Sequence, residues 1–193
     1  LCNTTIVDSA KNALAQSATL ASEELQRRLN SGEIDAAERD KTLTQLRYES
    51  DLANGIREAD LIIEAIPEKL ELKRQLFAQL DALTAPDTIL ASNSSSIKIS
   101  AIEDATQRPD KVLNLHFYGI VWERPMVELM RGSATSDRTI EQVYRFAQRI
   151  GITPLIVDKE STGFIFNRVW RAVKRETLHL VDEGVTSHED VDR

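Results

Sequence analysis

The sequence predicts an α/β fold built on a largely parallel sheet. Two observations carry that prediction. Short apolar, β-branched runs alternate with longer segments of helical period along most of the 193 residues. The joints between them hold turn and capping residues, while no internal repeat or low-complexity segment interrupts the alternation.

Taken in order, Thr4 to Val7 is a β-branched run, read as a strand that Asp8 ends. Ser9 to Leu29 is helical, with Ala13, Leu14, Ala18, Leu25 and Leu29 near a helical period and Arg27 and Arg28 close to the C-terminus. Asn30-Ser31-Gly32 breaks it, and Asp35 to Leu46 forms a second, charged helix, so residues 9–47 make a helical hairpin. Leu46 to Glu49 is a brief strand and Asp60 to Ile66 a buried one. Pro67-Glu68 opens a helix to about Leu83, since proline is tolerated in a first turn. Strands follow at Thr88–Ala91, Val112–Phe117 and Val127–Met130. Ser136-Asp137 caps a helix from Arg138 to Arg149 that Gly151 stops. Thr153 to Val157 is the last strand, Phe164 to Glu183 a long helix ending at Gly184, and Ser187 to Arg193 the start of another. A boundary near Asp158–Gly163 is expected to divide an α/β domain, residues 1–160, from an all-helical continuation, residues 161–193.

Composition bounds the function. A 41% hydrophobic content supports a real core, and no apolar run approaches the roughly 20 residues of a membrane span, so no membrane partner is expected. The segment from Leu1 to Val7 lacks the basic flank and apolar stretch of a signal peptide. The single cysteine, Cys2, excludes an intramolecular disulfide framework and fits a reducing, cytoplasmic compartment. The net charge of -7 argues against nucleic acid as a partner, while leaving room for anionic small ligands held locally. One cysteine and scattered histidines give no metal cluster; His179 and His188 read as helix-surface residues. The chain opens without Met and closes inside a helical pattern, so both ends read as cut from something longer.

The candidate chemistry sits at strand ends, where ligands bind in open α/β sheets. Asp8 is placed either to cap the next helix or to accept hydrogen bonds from the ribose hydroxyls of NAD. The glycines, at 32, 55, 119, 132, 151, 163 and 184, form no G-x-G-x-x-G; if Asp8 binds ribose, a phosphate loop belongs about 20 residues upstream. Glu68 and Lys73 either face a cofactor or form a solvated helical pair. Ser92 to Ser96 is a serine-rich turn or a set of polar groups aimed into the same crevice. His116, inside Leu115-His116-Phe117, is either a core histidine or a base oriented by Glu128 on a neighbouring strand. Asn167, four residues after Gly163, is a cap, a buried polar contact or a functional amide.

Together these residues resemble the L-3-hydroxyacyl-CoA dehydrogenase family, including its 3-hydroxybutyryl-CoA dehydrogenase-like members. The resemblance rests on Ile6-Val7-Asp8, on Ala59 to Ala65 with Glu68 and Lys73, on Ala91 to Ser96, on Leu115-His116-Phe117, on Val127-Glu128 and on Gly163 to Arg168. It implies a Rossmann-like, doubly wound and mostly parallel sheet that lacks its first strand here, followed by the start of a helical substrate and dimerisation domain. It implies NAD-dependent oxidation of an L-3-hydroxyacyl-CoA to the 3-ketoacyl-CoA, as in fatty-acid β-oxidation, by an enzyme that is a homodimer at full length. His116 would be the general base, Glu128 its partner, and Ser95 and Asn167 the substrate contacts. Asp8, Ala65, Glu68, Lys73 and Asn93 would bind the cofactor. The hairpin would contact coenzyme A, with Arg27 and Arg28 as phosphate partners. The family pattern places Asn-Pro after His-Phe-Phe, whereas this chain has Tyr118-Gly119-Ile120 and then the bulky Val121-Trp122-Glu123-Arg124-Pro125, which bears on the acyl group accepted. The missing first strand would lie between the strands at Thr4 and Asp60 and leave each without a neighbour. A lambda-crystallin or L-gulonate-type dehydrogenase shares the Ser, His, Glu and Asn pattern. A non-catalytic fragment without a cofactor site is the third reading.

Overall fold

A computed structural model of the chain describes residues 2–193, which divide into two compact units: residues 2–62 with Gln79–Thr88, and Ile63–Ala78 with Ile89–Arg193. The first unit holds β1 (Thr4–Val7), α1 (Lys11–Asn30), α2 (Ala36–Gln45), β2 (Leu46–Glu49) and α3 (Leu52–Ile56). β1 and β2 pair in parallel from Thr4↔Leu46 to Val7↔Glu49. The break between the hairpin helices falls where expected, at Gly32 with a φ of 74°. A capping box opens α2, with Asp35 Oδ1 accepting from the Glu38 N–H and the Glu38 carboxylate accepting from the Asp35 N–H. The sequence pattern did not suggest α3. It is one short turn, capped where Asp51 accepts from the Asn54 N–H, and it exists because Gly55 lets it approach β1: a side chain there would come within 2.5 Å of Val7 Cγ2.

The second unit carries most of a five-stranded sheet in the order β3-β4-β5-β6-β7, formed by Leu61–Glu64, Ile89–Ser92, Val112–Phe117, Met126–Arg131 and Thr153–Val157; β3 straddles the division between the units. Helix α4 (Leu70–Leu83) follows β3, and α5 (Asp137–Arg149) joins β6 to β7. β4 pairs parallel with β5, and β6 parallel with β7, but β5 and β6 are antiparallel. The reason is length: only residues 118–125 link β5 to β6, too few for the crossover of a dozen or more residues that parallel neighbours need. This single reversal sets the candidate site, as shown below. β5 is buried from Val112 to His116, and Leu113, Leu115, Leu129 and Met130 are almost wholly enclosed, as expected for a strand with neighbours on both sides.

Among the described residues β1 has one hydrogen-bonded neighbour, β2, and β3 has one, β4. Three short 3-10 turns (Ile99–Ala101, Glu103–Ala105, Pro109–Lys111) fill the link from β4 to β5, which the sequence pattern left unassigned. Buried Asn114 pins this link: its Oδ1 accepts from the Ile99 N–H at 3.0 Å and its Nδ2 donates to the Ile97 carbonyl at 3.2 Å. The last two helices are α6 (Phe166–Asp182) and α7 (His188–Asp192). α6 starts two residues later than expected because Gly163 and Phe164 hold positive φ angles, 81° and 52°, which no right-handed helix allows. No helix among the described residues is long and apolar enough to cross a membrane.

Candidate active site

The antiparallel register of β5 and β6 sets His116 directly opposite Glu128. His116 Nδ1 and Glu128 Oε2 are 3.0 Å apart, with the ring 7% exposed and the carboxylate 0%. A carboxylate acceptor on Nδ1 fixes the proton there and leaves Nε2 as the free acceptor of the neutral ring. The other carboxylate oxygen, Oε1, accepts from the backbone N–H groups of Ile165 and Phe166 at 2.7 and 3.0 Å. Those N–H groups are the unsatisfied donors at the start of α6, and the positive φ of Phe164 turns them toward the sheet. Burial opposes the charge on Glu128. Hydrogen bonding from His116, the nearby Tyr118 hydroxyl, and the Phe166 and Ile165 N–H groups outweighs it, so the carboxyl group is held below its ordinary pKa and stays ionised.

Two aromatic rings wall the imidazole: Phe164 at 4.9 Å and Tyr118 edge-on at 5.3 Å between centroids. Tyr118 also packs on Phe166, at 4.8 Å. The buried Tyr118 hydroxyl faces Glu128 without a well-formed hydrogen bond among the described residues. Burial first, and then the contact with the Glu128 carboxylate and its charge, pushes its ionisation above that of an ordinary phenol. Gly119, where the family pattern has a polar side chain, adopts a φ of 51°.

Ser95 and Asn167, expected as substrate contacts, come together. Both line an open cleft of about 290 Å³ with Ser96, Thr162, Gly163, Trp170, Arg171 and Lys174. The His116 ring is not part of this lining. Asn167 lies in the first turn of α6, and Arg171 and Lys174 follow it four and seven residues on, so the three share one helix face. Sequence reading missed these two cations, although their spacing from Asn167 was the available signal.

Glu68, Lys73 and Asn93 also fall in the second unit, at the carboxyl ends of β3 and β4. The solvated-pair reading of Glu68 and Lys73 fails, because Lys73 is 1% exposed. Its ammonium donates to Glu64 Oε1 at 2.6 Å and to the Ile66 carbonyl at 3.1 Å, and it lies 3.3 Å from Glu68 Oε2. All three donors of the Lys73 ammonium are thus engaged within the protein. Glu64 Oε2 in turn accepts from buried Ser92 Oγ at 2.7 Å. Glu68 Oε1 accepts from the hydroxyls of Ser94 and Ser96 and from the Ser96 N–H, so it staples the loop that presents Ser95. Burial works against its charge, but those hydroxyls and Lys73 prevail, and its pKa drops to about 2. Asn93 Oδ1 accepts from the Phe117 N–H at 2.9 Å, tying the end of β4 to the residue after His116. Ala65 is exposed just past β3.

In the first unit, Asp8 follows the end of β1. One of its oxygens accepts from the Ala10 N–H at 2.8 Å and the other has no partner among the described residues, so the cap-like role and a ribose contact are compatible. The N-cap of α1 itself is Ala10. Arg27 and Arg28 are not free for phosphate: Arg27 pairs with Glu24 at 2.8 Å and Glu33 at 3.0 Å, and Arg28 with Glu24 at 2.8 Å. No cluster of potential metal ligands occurs among the described residues.

Comparison with known proteins identifies the family. The family model "3-hydroxyacyl-CoA dehydrogenase, NAD binding domain" matches residues 2–161. L-carnitine dehydrogenase of Bacillus cereus is 37% identical over 188 residues, covering 96% of this chain and 56% of that protein. The mitochondrial hydroxyacyl-coenzyme A dehydrogenase of Homo sapiens is 37% identical over 153 residues, covering 79% and 48%. The chain thus spans about half the length of these relatives. Among solved structures, (S)-3-hydroxybutyryl-CoA dehydrogenase from Ralstonia eutropha superposes with a TM-score of 0.92 at 29% identity, over 97% of this chain and 66% of that one. The 3-hydroxybutyryl-CoA dehydrogenase from Escherichia coli gives 0.91 at 33% identity, over 95% and 39%. These structures share the Rossmann-like α/β architecture, and with the family match spanning the strands that hold His116 and Glu128, the chain belongs to the 3-hydroxyacyl-CoA dehydrogenase family through its NAD-binding domain.

Proposed function

We propose that the protein carrying this chain oxidises the hydroxyl of an L-3-hydroxyacyl-CoA to the ketone. The observation that carries the proposal is the buried His116–Glu128 pair, in which the carboxylate faces Nδ1, leaves Nε2 unengaged by it, and is held ionised. His116 Nε2 takes the proton from the substrate hydroxyl. Glu128 keeps the ring oriented and stabilises the imidazolium that forms, while its own charge is secured by the two N–H groups of α6. Ser95 and Asn167 hold the substrate's oxygens; both polar side chains are without partners among the described residues. NAD, when bound, accepts the hydride. The unpartnered oxygen of Asp8 suits a ribose hydroxyl, and Ala65, Glu68 and Asn93 stand at strand ends where a dinucleotide is held, with Lys73 as their buried support. In this reading residues 1–160 serve the cofactor, and α6 with α7 begins a helical domain for substrate binding and homodimerisation in a cytoplasmic β-oxidation enzyme.

A second substrate is favoured by one finding: the match to L-carnitine dehydrogenase runs over 96% of the chain, α6 included. L-carnitine is a free 3-hydroxy acid, and the same base would serve it. The test is kinetic. In the complete enzyme, His116→Ala is expected to lower turnover of 3-hydroxybutyryl-CoA and of L-carnitine by about 10³-fold while NADH still binds, as read by nicotinamide fluorescence. Near-normal turnover by that variant would remove His116 as the base.

A further inference from the structure

The cleft beside Ser95 and Asn167 contains two cations that the proposed chemistry does not use. Arg171 makes no ion pair among the described residues, in contrast to Arg27 and Arg28 on the hairpin, which pair with their own acidic neighbours. Its guanidinium lies over Gly163, where an added side chain would meet Arg171 Nη2 at 3.1 Å and Asn167 Cβ at 3.4 Å. Glycine at 163 therefore has a second role besides its φ of 81°: it leaves the space in which the guanidinium sits next to Asn167. Lys174 extends the same face, its ammonium 5.5 Å from the centroid of the Trp170 ring and likewise without a carboxylate. Two unpaired cations on one wall of a cleft whose other wall is neutral serine form a site of one sign. A guanidinium beside an amide and hydroxyls is suited to a planar anion gripped through two N–H groups.

We infer that Arg171, aided by Lys174, binds a carboxylate of the substrate itself, placed within a few carbons of the hydroxyl that Ser95 and Asn167 hold. The inference rests on the dehydrogenase reading above and narrows its substrate class. The carboxylate has two sources: the free acid group of a 3-hydroxy acid, or the far end of a dicarboxylic acyl chain attached to coenzyme A. A monocarboxylic acyl-CoA supplies neither.

The experiment compares kcat/KM of the complete enzyme and its Arg171→Met variant on three substrates: 3-hydroxybutyrate, 3-hydroxyadipyl-CoA and 3-hydroxybutyryl-CoA. The wild-type enzyme is expected to favour one of the carboxylate-bearing substrates over 3-hydroxybutyryl-CoA, and which one identifies the source. Arg171→Met is expected to lower that preference by about tenfold to a hundredfold, mostly through KM, as for loss of a charged hydrogen-bond partner. Arg171→Lys should retain part of it. An equal fall on all three substrates, or no fall on any, overturns the inference. If no substrate is turned over, the dehydrogenase reading fails, and the inference is read separately by calorimetry with acetoacetate. Weaker binding by Arg171→Met than by wild type supports it, and equal binding overturns it.

Discussion

Two buried pairs, each a nitrogen base facing a carboxylate, lie in the same sheet, and they differ in what they leave open. Lys73 and Glu64 saturate each other: the ammonium has three acceptors, and the carboxylate accepts from Lys73, the Ile66 N–H and Ser92. His116 and Glu128 are asymmetric. The carboxylate is fully engaged, while the imidazole spends one nitrogen and keeps the other. A closed network rigidifies its surroundings, and here it supports Glu68 and the loop of Ser95. A network with one open position can exchange a proton. Burial does not separate the two, since Lys73 is more buried than His116; the nitrogen left open does, and the proposed chemistry rests on it.

The largest expected effect separates the pairs by readout. His116→Ala should cost about 10³-fold in kcat, about 4 kcal/mol of barrier, with NADH affinity retained. Lys73→Met should instead lower stability by about 3 kcal/mol in chemical denaturation, because Glu64 is left charged and buried. Adding Glu64→Gln to Lys73→Met should recover at least half of that loss. If the Lys73 variant loses kcat at unchanged stability, the contrast between the pairs collapses.

Acid titration sharpens the same comparison. Glu128 and Glu68 are both held below the ordinary carboxylate pKa in the fold, Glu68 at about 2. Each therefore contributes stability that is complete above the unfolded value of about 4.3 and is lost as pH falls through the folded one. For Glu68 the window runs from about pH 4.3 down to about 2. Unfolding free energy measured across that window should fall with pH, and Glu68→Gln should flatten part of the slope. An unchanged slope would mean that the serine loop does not depend on the Glu68 charge. The smallest effect belongs to Tyr118. Its hydroxyl makes no well-formed hydrogen bond among the described residues, so Tyr118→Phe should change stability by less than about 1 kcal/mol, in either direction. A larger loss would reveal a bond from this hydroxyl to Glu128.

Much of this arrangement was readable before any coordinates. The strands at Thr4, Leu46, Val112 and Thr153 follow from β-branched and apolar runs, and the helix from Asp137 from its Ser136 cap and the Gly151 stop, where φ is 78°. His116, Glu128, Ser95 and Asn167 were identifiable as polar residues interrupting apolar patterns or following strand ends. Other features left no local signal. The short helix α3 depends on the fit of Gly55 against Val7, and the late start of α6 depends on a turn at Phe164 that is itself positioned by Glu128.

The sequence by itself determined the alternation of strands and helices, because hydrophobic period and capping are local properties of the chain. It also determined which residue types were available for chemistry. Only the tertiary structure decided how they combine. The antiparallel turn between β5 and β6 put His116 opposite Glu128, and the N-terminus of α6 supplied the donors that keep that carboxylate charged. The same folding spent Lys73 on Glu64 and left Arg171 unspent. Pairing across strands and helices joins residues far apart in the chain, so no local pattern can settle which charge finds a partner.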